Sequence, residues 1–113
     1  MKNSEVIVCL NMIGRIKSED RKLSILLSYA LNANMKKLQE AYRTYLKVLQ
    51  ERNLADKDPK QLTAEERKEL KELKNAEVHV DLYRLTLDQI MGSDLTINEM
   101  EVIQTFMMKE GDD

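Results

Sequence analysis

Glycine, proline and aromatic side chains are scarce in this 113-residue chain. It has three glycines, one proline and no tryptophan, and aromatic residues make up 4% of the sequence. A β-sandwich or a barrel needs many turns between short strands, so this scarcity of turn-forming residues argues against both. No glycine-rich loop is present to hold a phosphate, which argues against a nucleotide-binding fold.

One cysteine and one histidine are too few for the usual metal and redox sites. They cannot together form a Cys/His zinc site, and a lone cysteine cannot close an intrachain disulfide, which suits a reducing compartment. Cys9 follows Val6-Ile7-Val8 and should be a buried, unactivated thiol. His79 alternates with valines and should face solvent or a subunit interface. We therefore expect no catalytic residue, no metal, no cofactor and no enzymatic activity.

Leucine, methionine, glutamate and lysine dominate the composition, with 42% hydrophobic and 34% charged residues. This balance is typical of a mainly α-helical protein, and the length suits a single domain over 1–113. The net charge of -2 conceals a gradient, because residues 1–54 carry a surplus of five positive charges and residues 77–113 a surplus of seven negative charges. Such asymmetry indicates an interaction surface, or two ends that pack together and neutralise each other.

The strongest predicted element is a helix over 19–53, where 35 residues pass without glycine or proline. Ser18 should cap it. Apolar side chains keep helical spacing through Asn32-Ala33-Asn34, so we expect the helix to continue there. This helix would be about 52 Å long, whereas a compact globule of this chain length is roughly 34 Å in diameter. The molecule should therefore be elongated.

The two halves of this helix differ in polarity. Ile25 and Tyr29 lie opposite the main apolar band, so the first half is apolar almost all round and should be buried by several elements. The second half is expected to have a polar, solvent-facing side that carries Lys36, Arg43 and Lys47.

Two further helices are predicted before and after this one. Residues 5–17 fit a strand by β-branching and a helix by spacing, and we favour a helix that ends near Gly14. Thr63 and Glu66 match a capping box, which predicts a helix over 63–76. That helix should fold back on residues 38–53 as an αα-hairpin.

After residue 76 the spacing of the apolar residues changes from a helical period to alternation. Apolar and polar residues alternate in a predicted short β-strand near 77–84, which would need residues 5–10, a second copy or a foreign sheet edge as its partner. A second capping box at Thr96 and Glu99 predicts a C-terminal helix over 96–109. We expect a core from 5–35 and 78–109, with 36–76 as a projecting helical hairpin.

The apolar stripe of the predicted hairpin is too narrow to cover the broad band of the long helix, and this surplus favours self-association. The candidate self-association residues are Tyr42, Leu46, Leu49, Val78 and Val80. The candidate partner-binding residues belong to the basic face and the acidic end, and they are Lys36, Arg43, Lys47, Glu99, Glu101 and Glu110.

The order of segments resembles a family of small phage and prophage proteins of unknown function. The similarity lies in residues 27–38, like the apolar start of that family's long helix, and in residues 75–82, like its short strand after a charged stretch. It continues in residues 94–103 and 106–108, like its capped final helix. The resemblance covers most of residues 19–110 and implies no catalytic residue. Together with the lone cysteine, it favours a soluble protein in the cytoplasm of a bacterial host cell.

These features lead us to expect a non-enzymatic, phage-derived protein-binding module, a homodimeric helical adaptor or assembly factor whose partner is a phage or host protein. No membrane contact is expected, because the run from Val6 to Leu10 is too short to span a bilayer.

Two alternatives remain open. One is a phage inhibitor of a bacterial defence nuclease, anti-CRISPR-like, that imitates nucleic-acid phosphates. Its acidic groups would be Asp81, Asp88, Asp94, Glu99, Glu101 and Glu110. The other is a weak DNA-binding regulator that uses the basic face, which the interleaved Glu40 and the acidic net charge disfavour.

Overall fold

Five helices form most of the chain in the computed structural model, which describes residues 1–109. They are α1 (Asn3–Ser18), α2 (Ile25–Glu51), α3 (Ala64–Asn75), α4 (Leu87–Ile90) and α5 (Ile97–Phe106), with a short 3-10 turn at Pro59–Gln61. The radius of gyration is 16.2 Å and the extents are 48 × 31 × 22 Å, whereas a compact globule of this length has a radius of gyration of about 13 Å. The predicted mainly helical, elongated fold is confirmed.

The first helix, α1, is longer than predicted. It runs through Gly14 to Ser18, so the helical interpretation of residues 5–17 is right and the predicted end near Gly14 is wrong. Gly14 is exposed and no atom lies near the place where a Cβ would be, so the glycine marks neither a turn nor a close approach. One face of α1 packs against α2 and buries Val6, Cys9 and Ile13.

The predicted 35-residue helix is divided, because residues 19–24 are not helical. Ser18 donates a hydrogen bond back to the Arg15 carbonyl at the end of α1 and caps no new helix. Ser24 is the N-cap instead, since its Oγ accepts from the Leu27 N–H. Its hydroxyl also donates to the Gln89 carbonyl, which ties the start of α2 to α4. The break is therefore made by contacts with residues far along the chain.

Buried Asn34 explains why α2 continues through the Asn32-Ala33-Asn34 stretch. Its side chain lies in the core, where Nδ2 donates to the Tyr83 carbonyl at 3.1 Å and Oδ1 accepts from the Tyr83 N–H at 2.7 Å. Both polar atoms are thus satisfied within an otherwise apolar cluster. This pair of bonds, the Asn34 clamp, fixes the segment that follows α3 against the middle of α2.

Residues 69–85 return antiparallel to α2. Arg52 forms an ion pair with Glu69 at 3.0 Å near the end of α2, and Lys37 donates to the Asp81 carbonyl further back along it. The returning helix α3 begins with the predicted capping box, in which Thr63 accepts from the Glu66 N–H and the Glu66 carboxylate accepts from the Thr63 N–H.

The predicted strand at 77–84 is wrong, since residues 1–109 contain only two isolated bridges, Lys2 with Glu77 and Leu85 with Met108. The alternation does give an extended backbone, with Leu82 buried and Asp81 exposed. Its hydrogen bonds go to side chains of α2 and to residues near both chain ends, so no sheet forms.

Candidate interaction surface

The outer face of α2, opposite the core, carries two apolar side chains that no other element covers. Ile25 is 84% exposed and Tyr29 is 58% exposed. The Tyr29 ring meets the Tyr83 ring edge-on, with centroids 5.2 Å apart, so it is oriented but still accessible. The expectation that several elements bury this half of the helix is wrong for both residues.

α4 extends this apolar area. It packs on the N-terminal part of α2, and the Ser24 hydroxyl bonded to Gln89 holds the two together. Met91, directly after α4, is 63% exposed. We define the α2–α4 patch as Ile25, Leu26, Tyr29, Leu87 and Met91.

The α2–α4 patch is large for a protein of this size. Taking roughly 200 Å² as the full surface of one large apolar residue, its five members expose about 600 Å². The largest apolar patch on a typical monomer is about 300–600 Å², and patches at the upper end mark binding surfaces. Isolated exposed residues such as Ile97, on α5, need no such explanation.

A basic row continues from the patch along the same outer face of α2. Lys36, Arg43 and Lys47 lie within about 40° of one another and of Ile25 at 100° per residue. All three are exposed, and among residues 1–109 none of them forms an ion pair. One long helix therefore presents an apolar end and a positively charged end in the same direction.

Glu99, predicted as a partner-binding acid, lies inside the protein. Its residue is 1% exposed, and Oε1 accepts from the Arg21 guanidinium and from the Thr96 N–H. Burial by itself raises the pKa of Glu99, but the bonds from Arg21 and Thr96, together with the Arg21 charge, bring it below its usual value. The placement of Glu99 on an exposed acidic surface is therefore wrong, since its carboxylate holds α5 to the segment before α2.

The rest of the acidic segment is less concentrated than the charge count suggests. Glu101 is exposed on α5, and Glu110 lies outside the described residues. Asp81, Asp88 and Asp94 are exposed. Mimicry of nucleic-acid phosphates by the exposed acidic residues stays a prediction, and buried Glu99 no longer belongs to that set.

The predicted self-association residues are buried or half-buried. Leu49 is buried, and Tyr42 is half-buried with its ring stacked on Tyr45 at 5.9 Å. Val78 and Val80 are half-buried and line the channel between α2 and the returning segment. Leu46 is also half-buried. These side chains offer less free surface than the α2–α4 patch.

The thiol of Cys9, the imidazole of His79 and the carboxylate of Glu99 lie in three different environments. Burial, with a smaller contribution from the Glu5 carboxylate, raises the pKa of the Cys9 thiol to about 12, and His79 is exposed. A cleft of about 250 Å³ between α1 and α5 is lined by Arg15 and Glu99, and Glu99 Oε2 has no protein partner. An ordered water would satisfy that oxygen.

In the span 1–109, no three His, Cys, Asp or Glu side chains lie together as metal ligands would. None of the described helices combines the length and the hydrophobicity that crossing a bilayer requires.

The chain matches no known protein family, no curated protein and no solved structure.

The α2–α4 patch is the feature that the sequence pattern did not reveal. Ile25 and Tyr29 were visible as apolar residues off the main band, but periodicity cannot say whether a second element covers them. The signal was present in their position, opposite Leu27 and Leu31 and in line with Lys36. An apolar residue in line with a row of exposed lysines and arginines is a candidate for exposure.

Proposed function

We propose that this chain is a non-enzymatic, phage-derived protein-binding module, and that the α2–α4 patch is its docking surface. The observation that carries the proposal is the exposure of about 600 Å² of apolar surface by five side chains of α2, α4 and the residue directly after α4. Tyrosine and methionine, represented by Tyr29 and Met91, are enriched in protein interfaces.

The energetics of the patch suit a protein partner. Removing about 600 Å² of apolar surface from water is worth roughly 15 kcal/mol at 25 cal/mol per Å². Association costs about 4–15 kcal/mol in lost translational and rotational freedom. Four of the five patch side chains belong to α2 or α4, so little further ordering of the backbone is needed there. A partner that contributes a matching apolar surface can therefore bind with useful affinity.

The basic row adds selectivity for the partner's charge. Lys36 lies about 16 Å along the helix from Ile25, and Lys47 about 33 Å from it. Acidic side chains on a partner that lies along α2 would meet these groups, which raises the association rate more than the affinity.

The test is a pull-down from the bacterial host, with and without infecting phage, using matched baits. Ile25→Glu and Met91→Glu each place a charge in the patch, while Ile97→Glu makes the same change at an isoleucine that is 80% exposed outside it. We expect at least one protein, the chain's own untagged copy included, to be retained by the wild type and by Ile97→Glu and lost by both patch variants. Identical sets of proteins on all four baits would refute the proposal.

A further inference from the structure

We infer that the partner of the α2–α4 patch is a second copy of this chain, which forms a two-fold symmetric dimer. The inference rests on the proposed function and deepens it by naming the occupant of the docking surface. In a two-fold dimer the same patch is used on both copies, so the patch must be complementary to itself.

The size of the patch fits this arrangement. A standard stable interface buries about 800 Å² on each partner, of which a little more than half is apolar. The roughly 600 Å² of the α2–α4 patch supplies that apolar part, and the polar residues around it would form the rim. No second apolar surface is needed to complete the interface.

Charged residues flank the patch on both sides. One side is the start of α2, which carries no charge itself and follows exposed Asp20 and Lys22, and the other side is α4, which carries exposed Asp88. Exposed Lys22 lies three residues before Ile25, and exposed Asp88 lies directly after Leu87. In the proposed dimer the two-fold axis is perpendicular to α2 and passes between the two sides of the patch, so that each side meets the opposite side of the other copy. Lys22 of each copy then faces Asp88 of the other.

The basic rows do not oppose this dimer. Lys36, the nearest member, is about 16 Å along the helix from Ile25, which is beyond the screening length of about 8 Å at physiological salt. With the axis perpendicular to α2, the two rows also run in opposite directions, away from the interface. Both rows therefore stay free for a further, acidic partner.

The position of the patch also predicts the dimer's shape. α2 has 27 residues and is about 40 Å long, so of the three extents only the 48 Å axis can accommodate it. The patch, at the N-terminal end of α2, therefore lies towards one end of the molecule. The two copies should overlap at these ends and form a particle much longer than 48 Å.

Cysteine cross-linking tests the inference directly. Cys9 is fully buried, so a single introduced cysteine is the reactive thiol of each variant. Because the start of α2 faces α4 of the other copy, we expect a mixture of the Ile25→Cys and Met91→Cys proteins to form a mixed disulfide under mild oxidation far faster than a mixture of the Ile97→Cys and Met91→Cys proteins. Equal rates in the two mixtures would indicate random collision and would overturn the inference.

A charge swap in sedimentation equilibrium separates a second copy from a foreign partner. Lys22→Asp alone places like charges opposite each other at two symmetric contacts, and we expect it to weaken the dimer about tenfold. Lys22→Asp combined with Asp88→Lys should restore the wild-type dissociation constant. A double variant no stronger than the single one would overturn the inference, and circular dichroism verifies that both stay folded.

The outcomes for the dimer and for the proposed function can be told apart. A wild-type dimer at micromolar concentration that Ile25→Glu dissociates supports both. A monomer at 100 µM that still retains a patch-dependent host or phage protein overturns the dimer and leaves the proposed function in place. A monomer with no patch-dependent protein overturns both.

Discussion

The Asn34 clamp should be among the largest single side-chain contributions to the stability of this fold. Asn34→Ala removes two hydrogen bonds of 3.1 and 2.7 Å and leaves the Tyr83 N–H and carbonyl without their partners. Each lost bond is worth about 1 kcal/mol, and a buried unsatisfied group costs about 1–3 kcal/mol more. Because Asn34 is fully buried, we expect a loss of about 3 kcal/mol. A domain has only about 5–15 kcal/mol to lose.

Urea unfolding followed by circular dichroism measures this loss. With a slope of about 2 kcal/mol per M, the midpoint of Asn34→Ala should fall by roughly 1.5 M. The matched control is Asn32→Ala, two residues away on the same helix. Asn32 is exposed, and its amide donates to the Ser28 carbonyl at 3.1 Å. The control should move the free energy of unfolding by less than about 0.5 kcal/mol.

Two results would refute this reasoning about Asn34. One is a midpoint for Asn34→Ala that matches that of Asn32→Ala, since the clamp would then contribute no more than a surface amide. The other is Asn34→Leu as stable as the wild type, because shape alone would then account for the site. A leucine fills the same space but can bond neither backbone group of Tyr83, so we expect it to lose about as much as the alanine.

Two further predictions concern α1 and the buried ion pair. Arg21→Met should destabilise the protein by about 3 kcal/mol at pH 7, because it leaves the Glu99 carboxylate buried without its cation. Adding Glu99→Gln should recover most of this loss. If urea unfolding shows no recovery in the double variant, the loss is not a charge effect. In the wild type the pKa of Glu99 is lowered in the folded state. The stabilisation by its carboxylate is therefore present above the unfolded pKa of about 4.3 and is lost as the pH falls further. Urea unfolding at pH 7, 5 and 4 should show that the difference in the free energy of unfolding between wild type and Arg21→Met shrinks as the pH falls. Gly14→Ala should raise the free energy of unfolding by about 0.5–1 kcal/mol, because Gly14 is exposed within α1 and its Cβ site is empty; an unchanged or lower melting temperature would contradict this.

Local signals in the sequence predicted local structure well. The capping boxes at Thr63 and Thr96 start helices where expected, because each needs only groups three residues apart. The break at residues 19–24 could not be predicted in the same way. It depends on Ser24 bonding to Gln89 and on Arg21 bonding to Glu99, which are separated from them by 65 and 78 positions.

The candidate surface was only partly predictable for a related reason. Exposure of Lys36, Arg43 and Lys47 follows from the helical period, because charged residues off the apolar band face water. Exposure of Ile25 depends on which elements reach its side of α2, and periodicity carries no information on that. The alternation at 77–84 led to a wrong prediction of a strand, because it indicates only an extended backbone with one buried face. Side chains of α2 provide hydrogen-bond partners for that backbone as well as a neighbouring strand would.

The extended segment at 76–85 has a consequence for how the chain folds during synthesis. Its backbone is bonded to Met1 and Asn3 near one end of the chain, to Asn34 in the middle, and to Met107 and Lys109 beyond α5. Helices α1 and α2 can pair as soon as both have left the ribosome, because their contacts are close in sequence. The segment at 76–85 cannot complete its bonds until residue 109 has emerged. The nascent protein should therefore remain incompletely folded, with the side of α2 that holds Asn34 uncovered, until the residues that follow α5 have emerged.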